Sequence, residues 1–388
     1  MRTLGISRAV TAAAAAVLML GAAAGTAAHA AQIRVGFITS LSGPVSSIGI
    51  PYSKGMKAAE SYVDKVRGMD IKVYQLDDAS DPTTAARDAR KLVDDDKVDV
   101  LIGSSGVPSA MAVAAVARET GTPMIGVTPI AGNGNPWVVT TVQPVPLMVG
   151  QVVAHMKKDG VKTVAYIGFS DSWGDLVYSN LKKYAAEDGI KVLTDERYAR
   201  SDNSVTGQAL RMMATHPDAV LTGGSGTPGA LPYLALSQLG YTGKIYGTYA
   251  LISPDFVRVA GASAEGMLSS TGPVIVADQL PADYPTRAIS MVYRDAYKKV
   301  NGSYPDDAFS AYAFDAWLVL VHAAGTVDPK LHPGTPAYRK ALRDAIFGTH
   351  ELDGTMGVFN FHPGSPYGVD KRACVIVRLE HGQWKYAP

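Results

Sequence analysis

The feature that most restricts the fold of this chain is its alternation. From Gln32 onward, nearly continuous apolar runs alternate with helix-like stretches: QIRVGFIT, then YSKGMKAAESYVDKV; IKVYQLDD, then PTTAARDARKLVDDD; VDVLIG, then SAMAVAAVARET; and then TPMIGV. Apolar runs of strand length, separated by helices of about 10 to 16 residues, predict an α/β fold with a parallel sheet covered on both faces. Met56, Ala59, Val63 and Val66 share one face of the first predicted helix.

The same order of elements then begins again near Pro146: LMVGQVVAHMKKDG, TVAYIGF, WGDLVYSNLKKYAAEDG, IKVLTDERY, VTGQALRMMATH, DAVLTG, ALPYLALSQLG and KIYGTYA. Placing Pro108 on Pro228 superposes SSGVPSA on GSGTPGA, and each following helix leads to a strand ending in glycine, Gly126 and Gly247. A repeat on this scale predicts two similar Rossmann-like lobes. The tail departs from the repeat: residues 283–301, 306–325 and 336–347 read as helices, and MGVFNF and ACVIVRL as late strands. TTVQPVP, MLSSTGPVIVAD and GTMGVFNFH are the candidate crossings between lobes. They predict a three-segment hinge, with lobe 1 over 31–142 plus 272–356 and lobe 2 over 143–271 plus 357–388.

The chain has 388 residues, 47% of them hydrophobic, enough for about two domains with full cores. Residues 1–30 carry Arg2 and Arg8, an alanine-rich apolar run and Ala28-His29-Ala30, the parts of a secretory signal peptide with cleavage expected after Ala30. A membrane anchor is the weaker reading, because the run lacks the roughly 20 strongly apolar residues of a span. The net charge of +1 falls to −1 once those two arginines leave, which gives no electrostatic footprint for nucleic acid. Cys374 is the only cysteine, so no intrachain disulfide forms; inside ACVIVRL it reads as a buried filler.

Chemistry concentrates at the strand ends. In LIGSSGVPSA a strand breaks into a glycine- and serine-rich turn, with Pro108 placed at the first position of the next helix. Such a turn presents backbone N–H groups and a helix dipole to an anion. No Gly-Lys-Ser/Thr closes it and Gly103-Ser-Ser-Gly106 does not meet the dinucleotide fingerprint, so neither nucleotide class is indicated. As a lone feature it reads equally as a packing turn. Its echo at GGSGTPGA puts two such turns at the mouths of two parallel sheets, facing each other across a cleft. Ser104, Ser105, Gly106, Val107 and Pro108 are therefore candidate ligand residues on one side, and Ser225, Gly226 and Thr227 on the other. Trp173 stands where TVAYIGF meets the next helix, a place suited to a ligand-facing ring. Ile48, Ile130 and Tyr249 also follow strands of this kind, and Phe309 is assigned evenly to cleft or core.

Other motifs resolve to plain readings. LDDASDP holds the spacing DDxxD, but it follows a strand and precedes Pro82, which suits Asp81 as a helix N-cap better than a metal ligand. The chain contains no Gly-x-Ser-x-Gly, no HExxH and no cysteine spacing for a metal. No catalytic constellation, metal or cofactor is predicted.

QIRVGFITSLSGPVSSIG, YQLDDASDPTTAARDARKLV, VDVLIG, TPMIGVTP, YIGFSDSWG and AEGML resemble the periplasmic leucine/isoleucine/valine-binding protein family, the type I solute-binding receptors of ABC importers. The resemblance implies two lobes that close on one small ligand and a membrane permease as partner, in a periplasmic monomer. It also implies a serine at the glycine-rich turn for an amino acid's carboxylate and an acid in the second lobe for its ammonium. Here Val107 stands near the serine's place and Tyr249 at the acid's, while Ser80 and Gly106 take the places of a disulfide found in some members. An ammonium without a counter-charge in a closed cleft is costly by several kcal/mol. The expected ligand is therefore a small carboxylate of benzoate or hydroxycinnamate type, with its carboxylate on a helix N-terminus and its ring near Trp173. A branched-chain amino acid, an amide and a short aliphatic acid are the alternative ligands. A sensor for a membrane signalling protein and an exported enzyme are the alternative classes.

Overall fold

The computed structural model describes residues 32–130 and 134–387. The leader read over 1–30 and its cleavage site lie outside the described residues. The first sheet is built from β1 (Ile33–Thr39), β2 (Lys65–Val66), β3 (Met69–Asp77), β4 (Val100–Gly103), β5 (Met124–Gly126) and β6 (Val138–Thr140). Three helices interleave: α1 (Ser46–Tyr62), α2 (Pro82–Asp94) and α3 (Val107–Thr120). α4 (Val145–Lys158) opens the second lobe, followed by β7 (Thr163–Phe169), α5 (Ser172–Asp188), β8 (Lys191–Tyr198), α6 (Thr206–Met213), β9 (Ala219–Gly223), α7 (Leu231–Gln238), β10 (Lys244–Gly247), α8 (Pro254–Ala260) and β11 (Leu268–Thr271). The tail contributes α9 (Arg287–Asn301), α10 (Phe309–Thr326), α11 (Pro336–Phe347), the short pair β12 (Leu352–Asp353) and β13 (Val358–Phe359), then β14 (Val375–Glu380) and β15 (Gln383–Tyr386).

Strand order is β2-β3-β1-β4-β5-β6 in one sheet and β15-β14-β11-β10-β9-β7-β8 in the other. The parallel parts, β3-β1-β4-β5 and β8-β7-β9-β10, have the same order, so the repeat in the sequence is a repeat of topology. The central strands are buried throughout, as the continuous apolar runs of a doubly covered sheet require. Helices α9 and α10 return from β11 to pack on α1, and β14 then joins β11 antiparallel.

Three crossings between the lobes meet at Gln143. Its amide Nε2 donates to the carbonyls of Met356 (3.2 Å) and Ala373 (2.8 Å), and its Oε1 accepts from the Tyr312 hydroxyl at 2.6 Å. Asp315 of α10 binds the third crossing by accepting from the N–H groups of Thr355 (2.7 Å) and Met356 (2.9 Å).

Two elements differ from the sequence expectation. α1 starts at Ser46, ahead of Pro51, and stops at Tyr62, where the sequence pattern placed it from Tyr52 to Val66. Gly49 lets this first turn lie against the end of β1, since a Cβ there would fall 1.9 Å from the Ser40 carbonyl oxygen. At the far end, Arg67 and Gly68 both adopt positive φ and fold Lys65–Val66 back onto β3 as a hairpin.

Candidate functional site

β1 lies between β3 and β4, and β7 between β8 and β9, so the loops leaving the two sides of each diverge and open a crevice. The two crevices face each other across a narrow, nearly closed cleft with about 20 Å³ of open space. From the first lobe it is lined by Ile48 and Tyr52 of α1, by Ser105, Gly106 and Val107 after β4, by Thr128 and Pro129 after β5, and by Phe309 at the start of α10. From the second it is lined by Trp173, Arg200, Ser225, Tyr249 and Ala250, which follow β7, β8, β9 and β10.

The turn after β4 is held from below. Asp78 accepts at Oδ1 from the Ser40 hydroxyl (2.6 Å) and Ser80 N–H (2.9 Å), and its Oδ2 accepts from the Ser104 hydroxyl. Ser104 Oγ in turn accepts from Ser105 N–H at 2.6 Å, while Ser105 Oγ accepts from Ser40 N–H (2.9 Å) and shares a hydrogen with Thr39 Oγ1 (2.9 Å). The acids of LDDASDP are thus spent on structure, and Asp81 is the N-cap of α2, accepting from Thr84 N–H at 2.7 Å. Above this knot α3 begins at Val107 with Gly106 as an N-cap that has no side chain to offer. The N–H groups of Gly106 and Val107 have no protein partner among the described residues. Two uncapped donors at the positive end of a 14-residue helix form an acceptor site for an anion.

The opposite wall is aromatic. Asp171 caps α5 by accepting from the N–H groups of Trp173 (2.9 Å) and Gly174 (3.2 Å), which fixes Trp173 at the cleft. The Trp173 indole donates to the Gly224 carbonyl at 3.2 Å, and its ring meets Tyr249 edge to face at 5.8 Å. Tyr52 closes the first-lobe side, with its hydroxyl donating to the Val127 carbonyl and its ring against Phe309 at 5.9 Å. Phe309 is at once cleft wall and core, 2% exposed.

Arg200 supplies the cleft's cation. Its Nε donates to Asp171 Oδ2 at 2.6 Å and its Nη1 to Ser225 Oγ at 2.7 Å, and the guanidinium lies over the Phe169 ring, 4.1 Å from the centroid. That leaves Nη2 without a protein partner. No Asp or Glu lines the cleft.

Of the sequence candidates, Ile48, Ser105, Gly106, Val107, Trp173, Ser225, Tyr249 and Phe309 come together around this space. Five do not line it. The Ser104 hydroxyl is turned down to Asp78. Pro108 is the second residue of α3, not the first, and has no N–H to present. Ile130 packs against Gly126 in the core of the first lobe, with its carbonyl accepting from the Tyr367 hydroxyl at 3.1 Å. Gly226 donates its N–H to the Ala250 carbonyl (2.8 Å), and Thr227 donates its own across the lobes to Ser47 Oγ (3.0 Å). The turn after β9 thus uses two of its N–H groups, those of Gly226 and Thr227, within the protein. It also leads into a 3-10 turn over Thr227–Ala230, where α3 begins directly.

Tyr52, Thr128, Pro129, Arg200 and Ala250 are lining residues that sequence reasoning did not single out. The strand-end rule that selected Trp173 and Ser225 applies equally to Arg200 after β8. Tyr52 was hidden by the late start assigned to α1, since it lies one turn beyond Ile48 on the same face.

No nucleophile and base meet in this space, and among the described residues no three His, Cys, Asp or Glu side chains gather to hold a metal. Burial pushes the Cys374 thiol up to about 12, away from nucleophilic use. Among the described residues no helix is long and apolar enough to cross a membrane.

Comparison with known proteins places this geometry. The family model described as periplasmic binding protein matches residues 32–382. An extracellular ligand-binding receptor from Rhodopseudomonas palustris is 38% identical, with a TM-score of 0.89, over 92% of this chain and 99% of that one. The Leucine-, isoleucine-, valine-, threonine-, and alanine-binding protein of Pseudomonas aeruginosa is 24% identical over 311 residues, 77% of this chain and 80% of its own length. A solute-binding protein of an R. palustris ABC transporter, solved in complex with benzoate, shares the fold at 23% identity and a TM-score of 0.76, over 92% of this chain and 95% of that one. The described chain, with its two like sheets and the cleft between them, belongs to the type I periplasmic binding proteins, the extracytoplasmic receptors of small ligands.

Proposed function

We propose that this protein is the solute-binding receptor of an ABC importer and that its cleft takes a small aromatic carboxylate of benzoate or hydroxycinnamate type. The observation that carries this reading is the balance of the lining: aromatic rings, two unclaimed N–H groups at the α3 N-terminus and one arginine, with no carboxylate. An anion gains from the N–H pair and from the remaining nitrogen of Arg200, whose charge Asp171 already balances, whereas the ammonium of an α-amino acid meets no lining carboxylate. The ligand carboxylate lies on the N–H groups of Gly106 and Val107 with Arg200 opposite, and the ring lies against Trp173.

The receptor works by closure. Contacts from both lobes are made together only in the closed form, so the ligand shifts the equilibrium toward it. The closed monomer then docks on a membrane permease in the periplasm, reached through the cleaved leader. The Leu/Ile/Val-binding names of several relatives favour a second reading, a branched-chain amino acid. Titration calorimetry with benzoates, hydroxycinnamates and leucine separates the two. Saturable binding of an aromatic acid without binding of leucine is expected; tight binding of leucine and of no aromatic acid overturns the proposal.

A further inference from the structure

Tyr249 lines the cleft, is 3% exposed, and its hydroxyl has no hydrogen-bond partner among the described residues. Several other buried polar side-chain atoms also lack partners among the described residues, but none of those residues lines the cleft. The neighbouring tyrosines make the contrast plain. Tyr52 donates to the Val127 carbonyl, Tyr367 to the Ile130 carbonyl (3.1 Å) and Tyr312 to Gln143 Oε1 (2.6 Å), so each spends its proton on a protein acceptor. The same three tyrosines are electrostatic neighbours of Tyr249. Burial, and then these neighbours, raise its pKa well above the usual tyrosine value, so the phenol keeps its proton. A neutral O–H donor buried without an acceptor costs the folded chain its desolvation. The same position filled by phenylalanine would keep the ring contacts with Trp173 (5.8 Å) and Tyr312 (6.0 Å) at no such cost. The hydroxyl, alone among these unpartnered atoms in belonging to a cleft residue, is free to serve a ligand.

We propose that Tyr249 is a specificity-determining residue that donates its O–H to a second oxygen on the ligand, separate from the carboxylate, so that the preferred ligand is a ring-hydroxylated aromatic acid. This rests on the reading of the cleft as an aromatic-acid site. A ring hydroxyl accepts from Tyr249, a fully buried lining hydroxyl that has no acceptor among the described residues, while the carboxylate occupies the separate N–H pair at the start of α3. An acid without the hydroxyl leaves the Tyr249 proton buried and unpaired, and a site built to hydrogen-bond a substrate hydroxyl discriminates strongly against the analogue that lacks it.

The test is a set of matched pairs on the mature wild-type protein by titration calorimetry: benzoate against 3-hydroxybenzoate and 4-hydroxybenzoate, and cinnamate against 4-hydroxycinnamate. At least one hydroxylated acid is expected to bind about 10-fold or more tighter than its parent. Tyr249→Phe is expected to bring that ratio close to one, and its melting temperature without ligand to be no lower than that of wild type. Parents binding as well as every hydroxylated partner overturns the inference and leaves the aromatic-acid reading standing. A preference that survives in Tyr249→Phe, or a uniform loss for parent and hydroxylated acids alike, also overturns it. Binding of leucine with no aromatic acid overturns both.

Discussion

Arg200 shows how one side chain is prepared for a ligand by residues that do not touch it. Asp171 takes its Nε and Ser225 its Nη1, which orients the planar fork and leaves one nitrogen for an acceptor in the cleft. A charge-assisted hydrogen bond is worth about 1.5–3 kcal/mol, so Arg200→Gln should weaken binding of the aromatic acid by about 10- to 150-fold. Calorimetry with benzoate measures it, and Arg200→Lys, which keeps the charge but not the fork, should fall between. At this scale the sequence was readable where a rule about strand ends applied and opaque where a partner came from afar. Trp173 and Ser225 could be selected because they follow apolar runs. That Ser104 points away from the cleft depends on Asp78, 26 residues earlier in the chain, and no local pattern carries that pairing.

Among the elements, the first turn of α1 connects recognition with closure. Gly49 allows it to sit against the Ser40 backbone, and this places Ile48 and Tyr52 on the cleft and Ser47 against the other lobe. Ser47 Oγ accepts from Thr227 N–H at 3.0 Å, a bond that exists only while the lobes are together. Ser47→Ala removes the acceptor without adding bulk, at a cost to the closed form of about 0.5–1.5 kcal/mol. The expected result is an affinity lower by about 2- to 12-fold with an unchanged melting temperature in the absence of ligand. Helix spans were legible from periodicity and caps, as Asp81 with Pro82 shows. The onset of α1 was not, because Pro51 reads locally as a boundary while packing against β1 extends the helix ahead of it.

For the molecule as a whole, the three crossings are tied to α10 through Tyr312 and Asp315 and to one another through Gln143. Burial pushes the Asp315 carboxyl up to about 7, against the opposing effect of the backbone N–H bonds from Thr355 and Met356. Its pKa in the unfolded chain is about 3.9, so the folded state binds the proton more tightly. The stability it contributes is fully present below about pH 4 and is lost as pH rises through about 7. Asp307, pushed up to about 6 chiefly by burial, acts in the same direction over a lower range. Thermal melts across pH 5–8 should show wild type losing stability with rising pH relative to Asp315→Asn, whose side chain does not titrate. Parallel melting curves for the two proteins would contradict the assignment.

The sequence by itself determined the doubly covered parallel sheets, their duplication and the turns at the strand ends. All of these rest on local periodicity, glycine and proline chemistry, and the recurrence of one element order. Only the tertiary structure decided where the N–H groups of the two turns go. The turns at SSGVPSA and GSGTPGA look alike in sequence, but the second gives the N–H groups of Gly226 and Thr227 to Ala250 and Ser47, whereas those of Gly106 and Val107 in the first have no partner among the described residues. The same holds for Arg200 and Tyr249, whose surroundings are set by residues distant in the chain: Asp171 and Ser225 for the first, Trp173 and Tyr312 for the second. Hydrogen-bond satisfaction is settled by neighbours far apart in the chain, and so it is the property that a linear pattern carries least.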